Sequence, residues 1–216
     1  MSKSPAAMAW GWGVAAMTRL LRSPDIAQPP FAPPILRDGE LLVSHVANIL
    51  HCLGPKLGLA PRGQAERIYA HGLQLTIADV VAEAHDAHHP ISGSLYYEGQ
   101  QDAAMAASKA FLAERIPKFL GYFETVLSRN PKGPALALGA AVTYVDLSLF
   151  QLWEGLHYAF PRAAATLPKT HPHLAELVEN VRARPRIAPY LKSPRRLSFN
   201  ESRIFRHYLD LDEARA

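Results

Sequence analysis

Apolar residues in the second half of the chain recur at intervals of three and four, whereas those in the first half fall in short runs. The three-and-four spacing is typical of helices that bury one face. Pro117 lies inside one such pattern and should kink that helix or remove one of its backbone hydrogen bonds. The predicted helices cover residues 62–89, 112–127, 143–156, 174–181 and 186–191.

The first part of the chain predicts a small unit with a hairpin. Two apolar runs, Ile35-Leu36 and Leu41-Val43, flank Asp38-Gly39. Asp-Gly between such runs predicts an antiparallel hairpin, because glycine adopts the positive φ that tight turns require. A proline-rich connector precedes the hairpin, and the helices expected in this part cover residues 14–21 and 47–53.

The change in pattern defines the expected domains. An α/β unit occupies residues 1–58, and an all-helical domain follows over residues 62–193. Residues 194–216 carry charges of both signs without helical periodicity and are expected to form a tail.

Composition narrows the function classes. The chain has 216 residues, of which 49% are hydrophobic and 19% charged, so it buries a core and is not disordered. A net charge of +4 comes without a dense basic stripe, so no nucleic acid is expected as a partner. No apolar run approaches a membrane span and residues 1–14 show no signal peptide, so we expect a cytoplasmic protein without membrane contact. The single cysteine, Cys52, is interpreted as a buried thiol.

Three segments together resemble the cytosolic glutathione S-transferases. Residues 34–39, Pro-Ile-Leu-Arg-Asp-Gly, are similar to the family's strand-turn signature. Residues 45–54 resemble its third-helix motif, usually written E-S-x-A-I-L-x-Y-L, and residues 143–150 resemble the capping box that begins its sixth helix. The order and spacing of the three are more specific than any one alone, and the resemblance covers about residues 14–193.

The resemblance implies an α+β fold, an incomplete thioredoxin-like domain followed by the family's all-helical C-terminal domain. Family members begin with a β-α-β unit whose first strand ends near a Tyr, Ser or Cys that holds the glutathione sulfur as a thiolate. The residues before Pro34 show no such pattern, so the catalytic residue is unknown. We expect either a truncated gene model or a protein without this strand, and a marginally stable or aggregated chain because its sheet has an open edge.

Glutathione as co-substrate, an electrophilic small molecule and a homodimer are implied by the same resemblance. In the family a cis-proline exposes the backbone of the preceding residue, which pairs with the cysteinyl part of glutathione. Pro34 matches that proline, but Pro33 before it has no amide proton, so one of two backbone hydrogen bonds would be missing. If the cis bond instead precedes Pro33, Ala32 supplies the bond. A rigid turn of trans prolines is the other alternative.

The family's Glu-Ser pair, which binds the γ-glutamyl group, aligns with His45 and Val46. Valine has no hydroxyl, so the helix amides and dipole remain, and the lost hydrogen bond weakens binding by about 1.5–3 kcal/mol. Ser44 either compensates or is an ordinary helix cap. The predicted glutathione-binding residues are Ala32, Pro33, Pro34, Ser44, His45 and Val46.

The end of the first long helix carries several histidines. His85 and His89 lie four apart on one face with Glu83 close by, a spacing that suits a metal ion. Helix C-termini also collect histidine for dipole reasons and no further ligand group follows, so no metal is predicted. In the resembled family this helix end borders the electrophile pocket, where His89, Tyr96 and Tyr97 are the predicted lining residues. Surface aromatics in a loop are the alternative reading of the tyrosines.

Two functions follow from these expectations. The first is conjugation of glutathione to an electrophile. The second is a binding or interaction protein that has lost the sulfur-activating strand, which Val46 favours. Asp79, in the middle of the first long helix, either helps to organise the site or the dimer, as in the family, or is simply an exposed helix position.

Overall fold

The computed structural model of the chain describes residues 13–212. Residues 1–12, on which most of the signal-peptide prediction rests, lie outside this range, as do the last four residues of the predicted tail. The chain divides into two compact units after Cys52. This boundary falls inside a helix, and the three-part division made from the sequence stays a prediction.

The N-terminal unit contains the predicted hairpin. Strands β1 (Ile35–Asp38) and β2 (Leu41–Ser44) pair antiparallel with Leu36 opposite Val43. Gly39 has a φ of 63°, which glycine adopts without steric cost and which lets the chain reverse in two residues. The flanking helices are α1 (Val14–Arg22) and α2 (Val46–Lys56), as the pattern predicts.

The C-terminal unit is helical. Short 3₁₀ turns cover Tyr97–Gly99 and Leu209–Leu211. The helices in chain order are α3 (Gln64–Asp86), α4 (Gln101–Ala110), α5 (Ile116–Ser128), α6 (Tyr144–Ala159), α7 (Pro161–Ala164), α8 (Leu167–Thr170), α9 (Pro172–Arg182) and α10 (Ile187–Leu191). Among the described residues, no helix is both long enough and apolar enough to cross a membrane.

Helix α6 is the centre of this unit, and it packs against α3 and α9. It begins with the predicted capping box: the Asp146 carboxylate accepts hydrogen bonds from the backbone amide of Thr143 at 2.6 Å and from its hydroxyl at 2.8 Å. The same carboxylate accepts the amide of Ala137 at 2.7 Å and is fully buried. A local helix-start signal therefore also anchors the preceding loop.

The helix predicted over residues 112–127 is divided, and Pro117 explains the division. Residues Phe111–Arg115 form one π-helical turn between α4 and α5, in which the amide of Ile116 bonds to the carbonyl of Phe111. Proline has no amide proton and cannot donate a backbone hydrogen bond inside a helix. Pro117 lies in the first turn of α5, where the amides need no partner within the helix. Helix α4 was missed from the sequence because its buried face carries small residues such as Ala104 and Ser108.

Part of the predicted tail contacts the helical unit. Ser108 donates a hydrogen bond to the carbonyl of Leu211 at 2.6 Å. The Asp212 carboxylate accepts the backbone amides of Arg162 at 2.7 Å and Ala163 at 3.0 Å. Phe205 and Leu211 are buried, so residues 204–212 pack onto the helical unit. We refer to them below as the C-terminal strap.

Candidate functional site

In the N-terminal unit, the predicted glutathione-binding residues lie before β1 and at the β2–α2 junction. The peptide bond between Pro33 and Pro34 is cis, which settles which proline takes that form and removes the alternative that relied on Ala32. Both prolines are exposed. The carbonyl of Pro33 is then the backbone group available there, because this residue has no amide proton.

The β2–α2 junction has an unusual backbone. His45 has a φ of 72°, in the left-handed region that residues other than glycine seldom adopt. Its carbonyl accepts the amide of Ile49 at 2.9 Å, so α2 starts directly after it. The Val46 side chain is 48% exposed, and no acidic residue occupies the first turn. The first amides of an 11-residue helix, with its positive dipole end, suit a carboxylate ligand.

In the C-terminal unit, three histidines meet at the end of α3: His85 lies in its last turn, and His88 and His89 follow it. The rings of His88 and His89 have centroids 4.6 Å apart, and the His85 ring lies 5.0 Å from His88 and 5.2 Å from His89. His88 and His89 are buried, while His85 is partly exposed. The backbone amides of His88 and His89 both donate to the carbonyl of His85, and this tight turn brings the rings together.

The protonation pattern of the two buried histidines follows from their partners. The carbonyl of Ile204 lies 2.8 Å from His88 Nε2, so this nitrogen carries a proton. The Arg206 guanidinium can only donate, so His89 Nε2, at 3.1 Å, is its acceptor. The proton of His89 is therefore on Nδ1 and is donated to His88 Nδ1. Both histidines fasten the C-terminal strap to the end of α3.

Burial keeps both rings neutral. Burial is the main cause that lowers the pKa of His88 to about 4; His89, His85 and Arg206 also lower it, while the hydrogen bond to the carbonyl of Ile204 raises it. The pKa of His89 is also lowered, first by burial and then by Arg206. Protonation of His88 would place an N–H donor on Nδ1, facing the N–H of His89. Protonation of His89 would place one on Nε2, facing the Arg206 guanidinium.

Glu83, which the sequence places near these histidines, is engaged elsewhere. Its carboxylate accepts two hydrogen bonds from Arg115, both at 2.7 Å, in a bidentate pair. This pair lowers the pKa of Glu83 and joins α3 to the π-helical turn. Asp79 is exposed, as the simpler of its two interpretations has it.

The predicted electrophile-pocket residues differ in their surroundings. Tyr96 is 84% exposed, whereas Tyr97 is buried with its ring stacked on Tyr208 of the strap at 3.9 Å. Burial and the nearby Asp210 raise the pKa of Tyr97, whose hydroxyl has no hydrogen-bond partner among residues 13–212. His89 and Tyr97 thus both contact the strap, and the pocket assignment itself stays a prediction.

A cavity in the C-terminal unit was not anticipated from the sequence. Its volume is about 250 Å³, and its walls are mostly apolar. The polar lining residues are Thr166, Thr170 and His171, and His171 Nδ1 lies 2.8 Å from the Thr170 hydroxyl. Pro117 and Phe160 are among the lining residues, which come from four helices and the π-helical turn. No periodic pattern in the sequence could bring these separate segments together.

The fold and these sites define the class of protein. The family model described as "Glutathione S-transferase, C-terminal domain" matches residues 85–194, which is half of the chain and includes all of α4 to α10. The chain belongs to the glutathione S-transferase family.

Relatives and solved structures agree with this assignment. The chain is 25% identical over 158 residues to a glutathione S-transferase of Plasmodium yoelii yoelii, covering 73% of this chain and 66% of the relative. It is 28% identical over 186 residues to glutathione S-transferase P of Capra hircus, covering 86% and 80%. The Pi-class glutathione S-transferase structure of Onchocerca volvulus superposes with a TM-score of 0.59 at 20% identity, covering 74% of this chain and 70% of that one.

The predicted α+β fold is confirmed, with its short hairpin followed by a helical domain. The first of these relatives is longer than the match, since the chain spans just under two thirds of it, 66%. Activity, substrates and partners of the whole protein are therefore taken up as proposals.

Proposed function

We propose that this protein binds glutathione through its N-terminal unit and conjugates it to an electrophilic small molecule. Membership of the glutathione S-transferase family is the observation that carries the proposal. In the reaction the glutathione thiolate attacks an electrophilic carbon, a carbon–sulfur bond forms, and the leaving group departs with the electron pair of its bond. The thiol proton goes to solvent.

The β2–α2 junction supports glutathione as the ligand. The γ-glutamyl carboxylate would be held by the first amides of α2, near His45 and Val46. The cysteinyl backbone would pair with Pro33, next to Ala32 and Pro34, through the Pro33 carbonyl. Ser44, partly buried at the end of β2, is close enough in sequence to contribute its hydroxyl.

Val46 gives a direct test of this site. Val46→Ser places a hydroxyl where the valine side chain is 48% exposed, and a new hydrogen bond to a charged group should tighten glutathione binding about ten- to a hundredfold. Calorimetric titration with glutathione measures the change, and Val46→Ala is the matched control that removes bulk without adding a hydroxyl. Equal affinity of the two variants would rule out this placement of the ligand.

Conjugation is tested separately from binding. The purified chain is applied to immobilised glutathione, and turnover is then followed with a chloronitroarene, whose displaced chloride accompanies a new absorbance band. Retention with turnover supports the transferase. Weak retention without turnover favours the second candidate, a binding protein without transferase activity, which is suggested by the hydroxyl-free Val46 and the amide-free Pro33.

We also propose that the protein acts as a cytoplasmic homodimer in detoxification, with the electrophile near His89, Tyr96 and Tyr97. One face of α3 supports dimerisation. Ile68 is 64% exposed and Leu75 45% exposed. Gly72 lies between them with open space around its Cα. An apolar strip of this kind suits contact with a second copy.

A further inference from the structure

We propose that His85, His88 and His89 form a binding site for a divalent transition metal ion, specifically Zn²⁺. One ring nitrogen from each of the three lies within 4.8 Å of the others, and this is a cluster of possible metal ligands among the described residues. Imidazole nitrogens bind Zn²⁺, and three protein ligands leave a fourth position for water. All three residues belong to the C-terminal unit.

The separations are close to those a zinc ion imposes. Zinc–nitrogen bonds of about 2.0–2.1 Å in a tetrahedron place two ligand nitrogens about 3.4 Å apart. The Nδ1 atoms of His88 and His89, which are hydrogen-bonded to each other, therefore need to move apart, whereas the His85 nitrogen needs to approach by up to about 1.4 Å. His85 has the most freedom to move, because its side chain is 31% exposed.

Two of the ligands already have the outer partners that fix a metal-binding imidazole. His88 donates from Nε2 to the carbonyl of Ile204 at 2.8 Å, and this leaves the Nδ1 lone pair directed toward His89. His85 Nδ1 lies 3.4 Å from the Asp86 carboxylate, and this leaves Nε2 for the ion. Such carbonyl and carboxylate partners set the tautomer and ring orientation in zinc sites.

Arg206 is the competitor for the third ligand. When no ion is bound, its guanidinium donates to His89 Nε2, and His89 Nδ1 carries the proton. For Nδ1 to bind the ion, that proton has to move to Nε2, where it would face the Arg206 donor. The guanidinium must then turn away, which also removes its positive charge from the dication. Metal binding and the Arg206 contact therefore exclude each other.

A titration with Co²⁺ tests the site. The full chain is first freed of metal with a chelator, and tetrahedral Co²⁺ coordination is followed by its visible absorption before Zn²⁺ is added to displace it. We expect saturation at one equivalent. His85→Gln and His89→Gln should each weaken binding at least about tenfold, since even an outer partner contributes that much. Arg206→Gln should tighten it.

The controls separate this cluster from other histidines. His173 lies on α9 outside the cluster, so His173→Gln should leave the titration unchanged. Circular dichroism shows which variants fold. If the variant of buried His89 does not fold, the result for the partly exposed His85 is used to test the site. Absence of the absorption band, equal binding by wild type and His85→Gln, or no tightening in Arg206→Gln would each overturn the proposal.

Discussion

A single buried carboxylate, Asp146, joins a helix start to a loop. It accepts the amides of Thr143 and Ala137 and the Thr143 hydroxyl, and its exposure is 0%. Three hydrogen bonds offset the desolvation that raises its pKa. Removing the carboxylate leaves two buried amide donors without an acceptor, and each unsatisfied donor lowers the free energy of unfolding by about 1–3 kcal/mol.

We therefore expect Asp146→Ala to lower the free energy of unfolding by about 2–5 kcal/mol, measured by urea denaturation. Glu176→Ala is the matched control, because Glu176 is an exposed carboxylate on α9 and its loss should change stability by no more than about 0.5 kcal/mol. Similar losses in both variants would show that the buried network contributes nothing of its own.

His171, which lines the apolar cavity, gives a pH-dependent prediction. Burial lowers its pKa, while Glu124 and the carbonyl of Leu167 act in the opposite direction. The folded chain thus binds this proton less readily than the unfolded chain. Its contribution to stability is complete above pH of about 6.5 and is lost as the pH falls toward the lowered pKa.

The free energy of unfolding should accordingly decrease below that pH, and less steeply in His171→Gln than in the wild type. Urea midpoints at a series of pH values measure the two slopes. His173→Gln, two residues further on, should keep the wild-type slope. Parallel profiles for wild type and His171→Gln would contradict this role of the buried ring.

At the scale of elements, α6 and the C-terminal strap fit together through a glycine. A Cβ on Gly155 would lie 2.5–2.6 Å from three carbons of the Phe205 ring, a distance that real contacts do not reach. Ordinarily alanine stabilises a helix interior by about 0.5–1 kcal/mol relative to glycine. At Gly155 the clash of an added Cβ with Phe205 should make alanine destabilising instead.

We expect Gly155→Ala to destabilise the chain by about 1–3 kcal/mol and to expose the strap to protease. Gly121→Ala on α5 is the control, because nothing lies within 4 Å of its added Cβ, and it should be neutral or stabilising. Limited proteolysis with mass spectrometry locates the cuts. An uncut strap in Gly155→Ala, with unchanged stability, would mean that Phe205 repacks freely.

At the scale of the whole molecule, the exposed face of α3 predicts self-association. Ile68→Glu and Leu75→Glu place a charge on positions that are 64% and 45% exposed, and burying that charge in a dimer carries a desolvation cost. Sedimentation velocity should show a dimer for the wild type and a monomer for both variants. Leu197→Glu, at a position that is 67% exposed and outside α3, should remain dimeric. A monomeric wild type would contradict the proposed dimer contact on α3.

The sequence by itself determined the elements that obey local rules. The hairpin needs only Asp38-Gly39 between apolar runs, and the start of α6 needs only Thr143 and Asp146 three residues apart. Turns and caps are closed by neighbours in the chain, so residue type and spacing suffice to predict them. The family resemblance rests on these same segments.

Only the tertiary structure decided the surroundings of the histidines and the course of the strap. The hydrogen bond from His88 to Ile204 spans 116 positions, and that from Ser108 to Leu211 spans 103. No periodicity in the sequence encodes such a pair, because distant segments are brought together by packing of the whole helical unit. For the same reason Phe205 and Leu211, which lie in the stretch predicted to be a tail, are buried against the helical unit, and three histidines near one helix end form a cluster.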